Sequence, residues 1–304
     1  MRWKRLALIL SLLAPAVPSL GAGVFSIATA LGTRVDLEAT ALAPGGIIVA
    51  RLTPAPGVKR VSLGLGKETI HLGPSGSDLE PFGLLGLDLG LEPGTTALSL
   101  SVVYADGRTE SAASSLTVEP RQFPLKKLTV PEKYVRPPRA VEDRIKREAE
   151  LLSLIYGMAT PRWRGEGPFT IPHEGELAPN FGERRVYNGV PRSPHAGVDI
   201  AAPAGAPVRA ANSGRVVLSR DLYFSGQTVI IDHGLGLLTV YCHFSELKVK
   251  RGDDVKKGQV IGLAGSTGRS TGPHLHWSAR LRQSRVDPVG LVGRLALQDV
   301  SGRR

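Results

Sequence analysis

The chain of 304 residues has one cysteine and few aromatic side chains, which make up 5% of the total. The lone Cys242 excludes an intramolecular disulfide, so an exported form of the chain depends on its apolar core for stability. Aliphatic and β-branched residues must build that core, and a hydrophobic content of 42% is enough for a soluble globular protein. The length accommodates two domains of ordinary size.

Long apolar runs are missing after the N-terminus, so no transmembrane span is expected in the mature chain. At the N-terminus, Arg2, Lys4 and Arg5 precede a short apolar stretch, residues 6–13, and small residues follow. This order is typical of a secretory signal. We therefore expect residues 1–23 to be a signal peptide, with an uncleaved anchor as the alternative. The expected location is the periplasm or cell envelope, and an extracellular location stays open.

The net charge of +11 is spread along the chain, without runs of five basic residues and without interleaved aromatic residues. Nucleic-acid binding is therefore not predicted. A basic exported protein is attracted to the anionic polymers of a cell envelope. A charge that serves only solubility explains the same balance equally well.

Residues 24–120 are predicted to form an immunoglobulin-like β-sandwich. Apolar residues alternate at Val35, Leu37 and Ala39, and alternate again over residues 98–104, before a hairpin turn at residues 105–107. Short strands punctuated by Pro-Gly pairs are typical of a sandwich. This region carries no chemical motif.

Residues 121–165 are predicted to be a linker with one amphipathic helix, over residues 139–156. The helix would carry its apolar stripe at Val141, Ile145, Ala149 and Leu152, and Gly157 would cap it. Such a stripe needs a partner. We expect the helix to pack against one of the two domains, with dimerisation through it as the alternative.

Residues 166–304 are rich in glycine and valine and read as short strands, the pattern of a small β-barrel or sandwich. Residues 208–210 and 214–218 are expected to form one hairpin, and residues 227–232 and 237–241 another. No helix of consequence is expected here, so the chain as a whole is predicted to be all-β.

Five of the seven histidines lie between positions 195 and 276. His195 and Asp199 would stand roughly 13 Å apart in a straight strand, so a shared metal ion requires a bend, which Gly197 permits, and a strand that starts near Val198. A loop histidine beside an unrelated aspartate is an equally simple interpretation of this motif alone.

His274 and His276 would leave the same face of a strand about 6.6 Å apart, with Trp277 pointing into a core. One imidazole can then bind a metal while the other reaches the water on it, although a surface pair gives the same pattern. His243 follows an apolar strand and is a second candidate for this work. If the strand is regular, the thiol of Cys242 beside it is expected to point to the opposite face and into the core.

Four ordered motifs within residues 168–289 resemble the lysostaphin/LytM-type zinc metallopeptidases. The motifs are Asn180-Phe181-Gly182-Glu183-Arg184, His195-Ala196-Gly197-Val198-Asp199, Tyr241-Cys242-His243-Phe244 and the segment from Gly268 to Trp277 that contains His274-Leu275-His276. One mild departure is Phe244, where the family usually has leucine. Taken together, the four motifs are far more specific than any one of them.

The resemblance implies a duplicated-hybrid-motif β-barrel or sandwich that holds one Zn²⁺ per chain through His195, Asp199 and His276. It implies that His243 and His274 are the catalytic histidines beside the zinc-bound water. The implied activity is a metalloendopeptidase that hydrolyses peptide cross-links of bacterial peptidoglycan. Bonds between D-Ala and diaminopimelate are favoured over oligoglycine bridges, because no glycine-bridge binding module is recognisable.

Two other functions are compatible with parts of this pattern. Some relatives that have lost their ligands act as envelope activators or binding partners of murein amidases, but this chain retains all five site residues. A lipoyl- or biotinyl-type carrier would need a lysine flanked by methionines at a hairpin tip, which is missing. A monomer is favoured, the oligomeric state is open, and the domain order suggests that the sandwich could cover the cleft.

Overall fold

A computed structural model describes residues 24–74 and 76–293, so the expected signal peptide, residues 1–23, lies outside the described residues. Within these ranges the chain is built mostly of β-strands with a single α-helix. The predicted all-β class is therefore confirmed. No helix of the described part has the length and apolar character needed to cross a bilayer.

Eight strands precede residue 120. They are β1 (Val24–Ala28), β2 (Arg34–Ala39), β3 (Ile47–Thr53), β4 (Val58–Leu65), β5 (Glu68–Leu72), β6 (Phe82–Gly86), β7 (Gly94–Tyr104) and β8 (Thr109–Val118). They form two antiparallel sheets, in the orders β1-β2-β3-β6 and β5-β4-β7-β8, around an apolar core. The alternating residues of β2 are buried as predicted, and β7 and β8 form the predicted hairpin. The immunoglobulin-like type of this sandwich stays a prediction.

The segment between the two β-regions is more than a passive connection. It contains β9 (Leu125–Leu128) and the helix α1 (Arg139–Gly157). The helix begins where predicted and includes Gly157, so this glycine lies inside the helix instead of capping it. It packs against the outer face of the C-terminal sheet, where Ile155 meets Leu218 and Ile230.

The predicted apolar stripe of α1 is wrong in part. Ala149 is exposed, whereas Glu148 is buried. The Glu148 carboxylate accepts hydrogen bonds from the Arg144 Nε, at 2.6 Å, and from the backbone N–H of Tyr223, at 2.8 Å. A charged residue can occupy a buried helix position when both of its oxygens have partners, and apolar periodicity does not detect this.

The C-terminal region contains eleven further strands. They are β10 (Arg184–Tyr187), β11 (Val190–Pro191), β12 (Gly197–Ala201), β13 (Pro207–Arg209), β14 (Gly214–Leu222), β15 (Gly226–Asp232), β16 (Leu237–Leu247), β17 (Asp254–Val255), β18 (Val260–Ala264), β19 (His274–Leu281) and β20 (Ser284–Val286). Nine of them form one sheet with the central order β12-β19-β16-β15-β14-β17. In a separate three-stranded sheet, β9 pairs in parallel with β10, and β10 pairs with β11.

Of the two predicted hairpins, the one between β15 and β16 is confirmed. The other is wrong, because β13 pairs with β18 and not with β14. The buried Asn212 accepts hydrogen bonds from the backbone N–H groups of Glu166 and Ser213. These bonds fix the connection between β13 and β14 in a bend that sends the two strands apart.

The two β-regions share one apolar core, and the sandwich has a second core of its own. Four successive residues of β3, from Ile47 to Ala50, are all buried. Ile48 and Ala50 face the sandwich core, whereas Ile47 and Val49 pack into the same cluster as Trp277 of β19. An unbroken apolar run of this kind is typical of a strand that is covered on both faces.

Candidate metal centre

The centre forms where β12 and β19 run side by side. Asp199 of β12 stands directly opposite His276 of β19, and His195 lies two residues before β12 begins. Gly197 is required for close approach and not for a left-handed bend, because a Cβ there would lie 2.5 Å from the Trp277 carbonyl oxygen. The strand thus starts at Gly197, one residue before the predicted position.

Three candidate ligand atoms converge on one point. The His276 Nδ1 lies 2.9 Å from the His195 Nε2 and 3.0 Å from the Asp199 Oδ1, and the last two atoms are 3.2 Å apart. Tetrahedral ligands with bonds of about 2.0–2.1 Å stand roughly 3.3 Å from one another. Two imidazole nitrogens and one carboxylate oxygen are also ligands that zinc takes, so the residues present fit this ion.

A second group of side chains holds the ligands in place. The His195 Nδ1 donates to the Asn180 carbonyl at 2.9 Å, which leaves the Nε2 lone pair for a metal. The Asp199 Oδ2 accepts from the Asn180 Nδ2 at 2.9 Å and from the Arg185 Nη2 at 3.0 Å. Arg185 in turn contacts the buried Glu183 carboxylate. Such outer partners fix the orientation of metal ligands.

Asn180 and Arg185 were not predicted as site residues. Asn180 belongs to a motif that carries the family resemblance, but the motif alone gives it no role. Burial by itself raises the pKa of Asp199, yet its close contacts with the His195 and His276 rings more than offset this effect, and the pKa is strongly lowered. The Asp199 carboxylate is therefore ionised at physiological pH, as a ligand for a cation must be. A largely buried carboxylate such as Asp199 needs hydrogen-bond donors, and this need is the signal that could have pointed to Asn180 and Arg185.

The two predicted catalytic histidines lie beside the three ligands. The His243 ring centroid is 4.9 Å from that of His274 and 6.1 Å from that of His276. The Nδ1 of His243 donates to the Thr267 carbonyl at 2.7 Å, and the Nδ1 of His274 donates to the Gly272 carbonyl at 2.8 Å. Each ring therefore keeps its Nε2 lone pair. Burial lowers the pKa of His243 to about 3, with the neighbouring rings of His276 and His274 adding to the shift.

The backbone of His243 has a φ of 68°, in the left-handed region that side chains rarely adopt. This residue interrupts the alternation of β16, so Cys242 and His243 both line the cleft. The prediction that Cys242 points to the opposite face from His243 is therefore wrong, because it assumed a regular strand, whereas the prediction that it lies in a core is confirmed by its apolar cluster with Ile155. Burial raises the pKa of the Cys242 thiol to about 12, which keeps it protonated and unsuited to bind a metal or attack a substrate.

The cleft around the centre is lined partly by the segment that the sequence suggested was only a linker. Lys126 and Leu128 of β9 and Tyr156 of α1 contribute to its wall. The sandwich, as far as the structure describes it, contributes no lining side chain. The expectation that the sandwich covers the cleft therefore does not hold for the described residues, and the linker segment occupies that place.

A histidine–aspartate–histidine group with two further histidines facing it is the donor arrangement of a catalytic metal site, which keeps a position open for solvent or substrate. Comparison with known proteins agrees with this class. Residues 193–288 match the model of peptidase family M23. A solved structure assigned to peptidase M23, from Pseudomonas aeruginosa, is 30% identical and covers 83% of this chain and 95% of its own, with a TM-score of 0.61.

Two curated relatives align with the C-terminal region. Peptidoglycan DD-endopeptidase ShyA from Vibrio cholerae is 41% identical over 122 residues, which are 40% of this chain and 28% of the relative. DD-carboxypeptidase/endopeptidase Mpg from Neisseria meningitidis is 45% identical over 98 residues, which are 32% of this chain and 23% of the relative. The match thus spans about a quarter of each relative's length. The chain belongs to peptidase family M23, a family of metallopeptidases.

Proposed function

We propose that the chain is a zinc-dependent endopeptidase that hydrolyses peptide cross-links of bacterial peptidoglycan. The observation that supports this most directly is that the candidate ligand atoms of His195, Asp199 and His276 lie within 3.2 Å of one another, beside two further histidines. The names of the relatives point to the same substrate. The signal expected in residues 1–23 supports a location in the periplasm or cell envelope, or outside the cell.

His195, Asp199 and His276 would hold the zinc ion. When bound, zinc polarises a carbonyl group and lowers the pKa of a coordinated water to about 7. The Nε2 lone pairs of His243 and His274 are left open by the Nδ1 hydrogen bonds, so each ring can accept a proton at its Nε2 and later return it to the leaving amine. In the protonated state, either ring can donate a hydrogen bond to the oxyanion that develops at the scissile carbonyl.

The fixed carbonyls of Thr267 and Gly272 set the tautomers needed for these roles. Each carbonyl accepts from the Nδ1–H of its histidine, so the proton-accepting nitrogen is always Nε2. Asn180 and Arg185 keep the Asp199 carboxylate oriented towards the two histidine ligands. The chain's own residues thereby prepare the site before a substrate arrives.

The test is cleavage of purified, cross-linked wall peptides by the zinc-loaded protein, with released fragments identified by mass spectrometry. His276→Ala should lose both the zinc and the cleavage, whereas the matched variant His71→Ala, on the sandwich surface, should keep both. Full cleavage by His276→Ala would rule out the mechanism. A protein that binds zinc and cleaves no wall peptide, yet stimulates an amidase, would instead support the activator role.

A further inference from the structure

The cleft contains positively charged side chains that no acidic residue neutralises. Its two carboxylates, Asp199 and Glu183, both contact Arg185. Lys126, Arg269 and Arg280 also line the cleft, and none of them forms a salt bridge within the described ranges. The cleft therefore has surplus positive charge even before a metal ion binds.

Among these cations, Arg269 is the one that lies against two aromatic rings. Its guanidinium carbon lies 5.0 Å from the ring centroid of Tyr187 and 4.9 Å from that of Phe224. Its backbone N–H donates to the Phe224 carbonyl at 2.7 Å. Aromatic faces fix a guanidinium in place and contact its flat surface, but they do not use its N–H donors in the way a carboxylate does.

The surroundings of Arg269 are unfavourable for a cation unless an anion is added. Burial lowers the pKa of this guanidinium, and the nearby charges of Arg192 and Arg185 act in the same direction. Arginine nevertheless stays protonated in proteins. A partly buried, positively charged fork with free donors is suited to bidentate binding of a carboxylate.

The position of Arg269 connects it to the reaction. It lies on the loop that leads to His274, five residues further along the chain. Tyr187, on which it stacks, belongs to β10, and the parallel strand β9 of the linker segment pairs with β10 at that residue. The linker segment therefore supports the side chain that holds the guanidinium beside the metal centre.

We propose that Arg269 binds a carboxylate of the substrate, so that the cleft selects cross-link peptides with a free carboxylate near the scissile bond over neutral peptides such as oligoglycine. This inference rests on the proposed function and narrows its substrate class. Arg269 anchors the peptide and takes no part in proton transfer. Its loss is expected to raise KM more than it lowers kcat.

The experiment uses the full mature, zinc-loaded protein and two cross-link peptides that differ only in one group, a free carboxylate or its carboxamide beside the scissile bond. The wild type should cleave the carboxylate peptide with a kcat/KM about 10- to 100-fold higher, the ratio expected for a charge-assisted hydrogen bond. Arg269→Met should lose this preference, and Arg269→Lys should retain part of it. Arg184→Met removes an exposed positive charge of β10 that does not line the cleft, and it should leave the preference unchanged.

Binding of the same two peptides, labelled and followed by fluorescence anisotropy, separates this inference from the proposed function. If the wild type cleaves neither peptide but binds the carboxylate form more tightly, the proposed function fails and the anchor stands. If it cleaves both equally well, the anchor is overturned and the endopeptidase stands. Equal binding without cleavage would overturn both.

A preference that persists in Arg269→Met would also overturn the anchor. Unfolding midpoints of all variants show whether each one is folded. If Arg269→Met does not fold, the wild-type preference and its reduction in Arg269→Lys decide the question. An undiminished preference in Arg269→Lys, together with unchanged peptide affinity, would then count against bidentate binding.

Discussion

The sandwich and the C-terminal region use the same antiparallel construction but differ in what they bury. Among the described residues, the only buried polar side chains of the sandwich are Thr29 and Thr33. The C-terminal region buries His195, His243, Glu183 and several others, and it also holds the non-glycine residues with positive φ, such as His243. Regular alternation of buried and exposed residues gives the sandwich a stable fold, whereas the candidate site requires local departures from that alternation.

The largest expected effect distinguishes a histidine of the site from one of the sandwich. His243→Ala should lower the turnover of wall peptides about 100- to 10,000-fold, the range of a lost general acid–base, because its Nε2 no longer accepts the proton. The zinc content should not change, since His243 is not among the three ligands. Turnover and metal analysis check this, with His71→Ala as the unaffected control. Loss of the zinc would instead show that His243 is a ligand.

A core substitution in the sandwich should act on stability alone. Leu100 is fully buried, and Leu100→Ala should lower the free energy of unfolding by about 2–5 kcal/mol, because it leaves a cavity. At a temperature where the variant is folded, kcat/KM should equal that of the wild type. Denaturant unfolding and peptide turnover measure the two quantities. A large loss of kcat/KM in the folded variant would show that the sandwich tunes the site.

Acid should destabilise the C-terminal region through His233. Burial lowers the pKa of His233 to about 4, from an unfolded value near 6.5. Between these two pH values the unfolded chain binds a proton at His233 and the folded chain does not. The free energy of unfolding therefore falls as the pH drops from about 6.5 to about 4. The loss reaches about 3 kcal/mol across this window.

His233→Gln should reduce this pH-dependent loss by the same amount, even if the variant is less stable at neutral pH. The variant loses contacts of the wild-type ring, because the Nδ1 of His233 donates to the Ser213 carbonyl at 2.8 Å and its Nε2 lies 2.7 Å from the Thr239 hydroxyl. Denaturant unfolding at pH 7 and pH 4.5 measures the difference. An unchanged pH slope in the variant would assign the effect to other groups, and the exposed His71→Ala should keep the wild-type slope.

The smallest effect concerns one of the polar contacts between the two regions. Arg285 and Asp88 form a bidentate pair, with a shortest distance of 2.6 Å, but both side chains are partly exposed to solvent. A double-mutant cycle with Asp88→Asn and Arg285→Met should give a coupling of only about 1 kcal/mol. The two regions should still unfold together, because their shared apolar core is intact. Separate unfolding transitions of the two regions in the double variant would mean that the Arg285–Asp88 pair is what couples their unfolding.

The candidate metal ligands were accessible from sequence through the family resemblance, because spacing alone left a loop histidine and a surface pair as simple alternatives. Residues that lie two positions apart on a strand must share a face, and this rule correctly placed His274 and His276 on one face of β19. Asn180 and Arg185 were missed because a supporting hydrogen bond depends on how distant segments pack, and no spacing rule describes that. Cys242 was misplaced for a related reason, since the left-handed backbone at His243 has no signature in the residue type.

The linker segment gives the same lesson for the fold. Its helix was found from periodicity, with a boundary error of one residue, because helix formation is local. Its strand β9 was not found, since Lys126 and Lys127 carry no alternating pattern. Parallel pairing with β10, far along the chain, is decided by tertiary packing.

The parallel pairing of β9 with β10 also limits how far the chain can be shortened from its N-terminal side. A shorter chain that starts at residue 166 keeps Tyr187 but leaves the amide and carbonyl groups along one side of β10 without partners. A bare strand edge of this kind recruits the strand of another copy. Trimming the protein to its metal-binding portion would therefore promote self-association, and the family match that begins at residue 193 understates how much of the polypeptide one working unit needs.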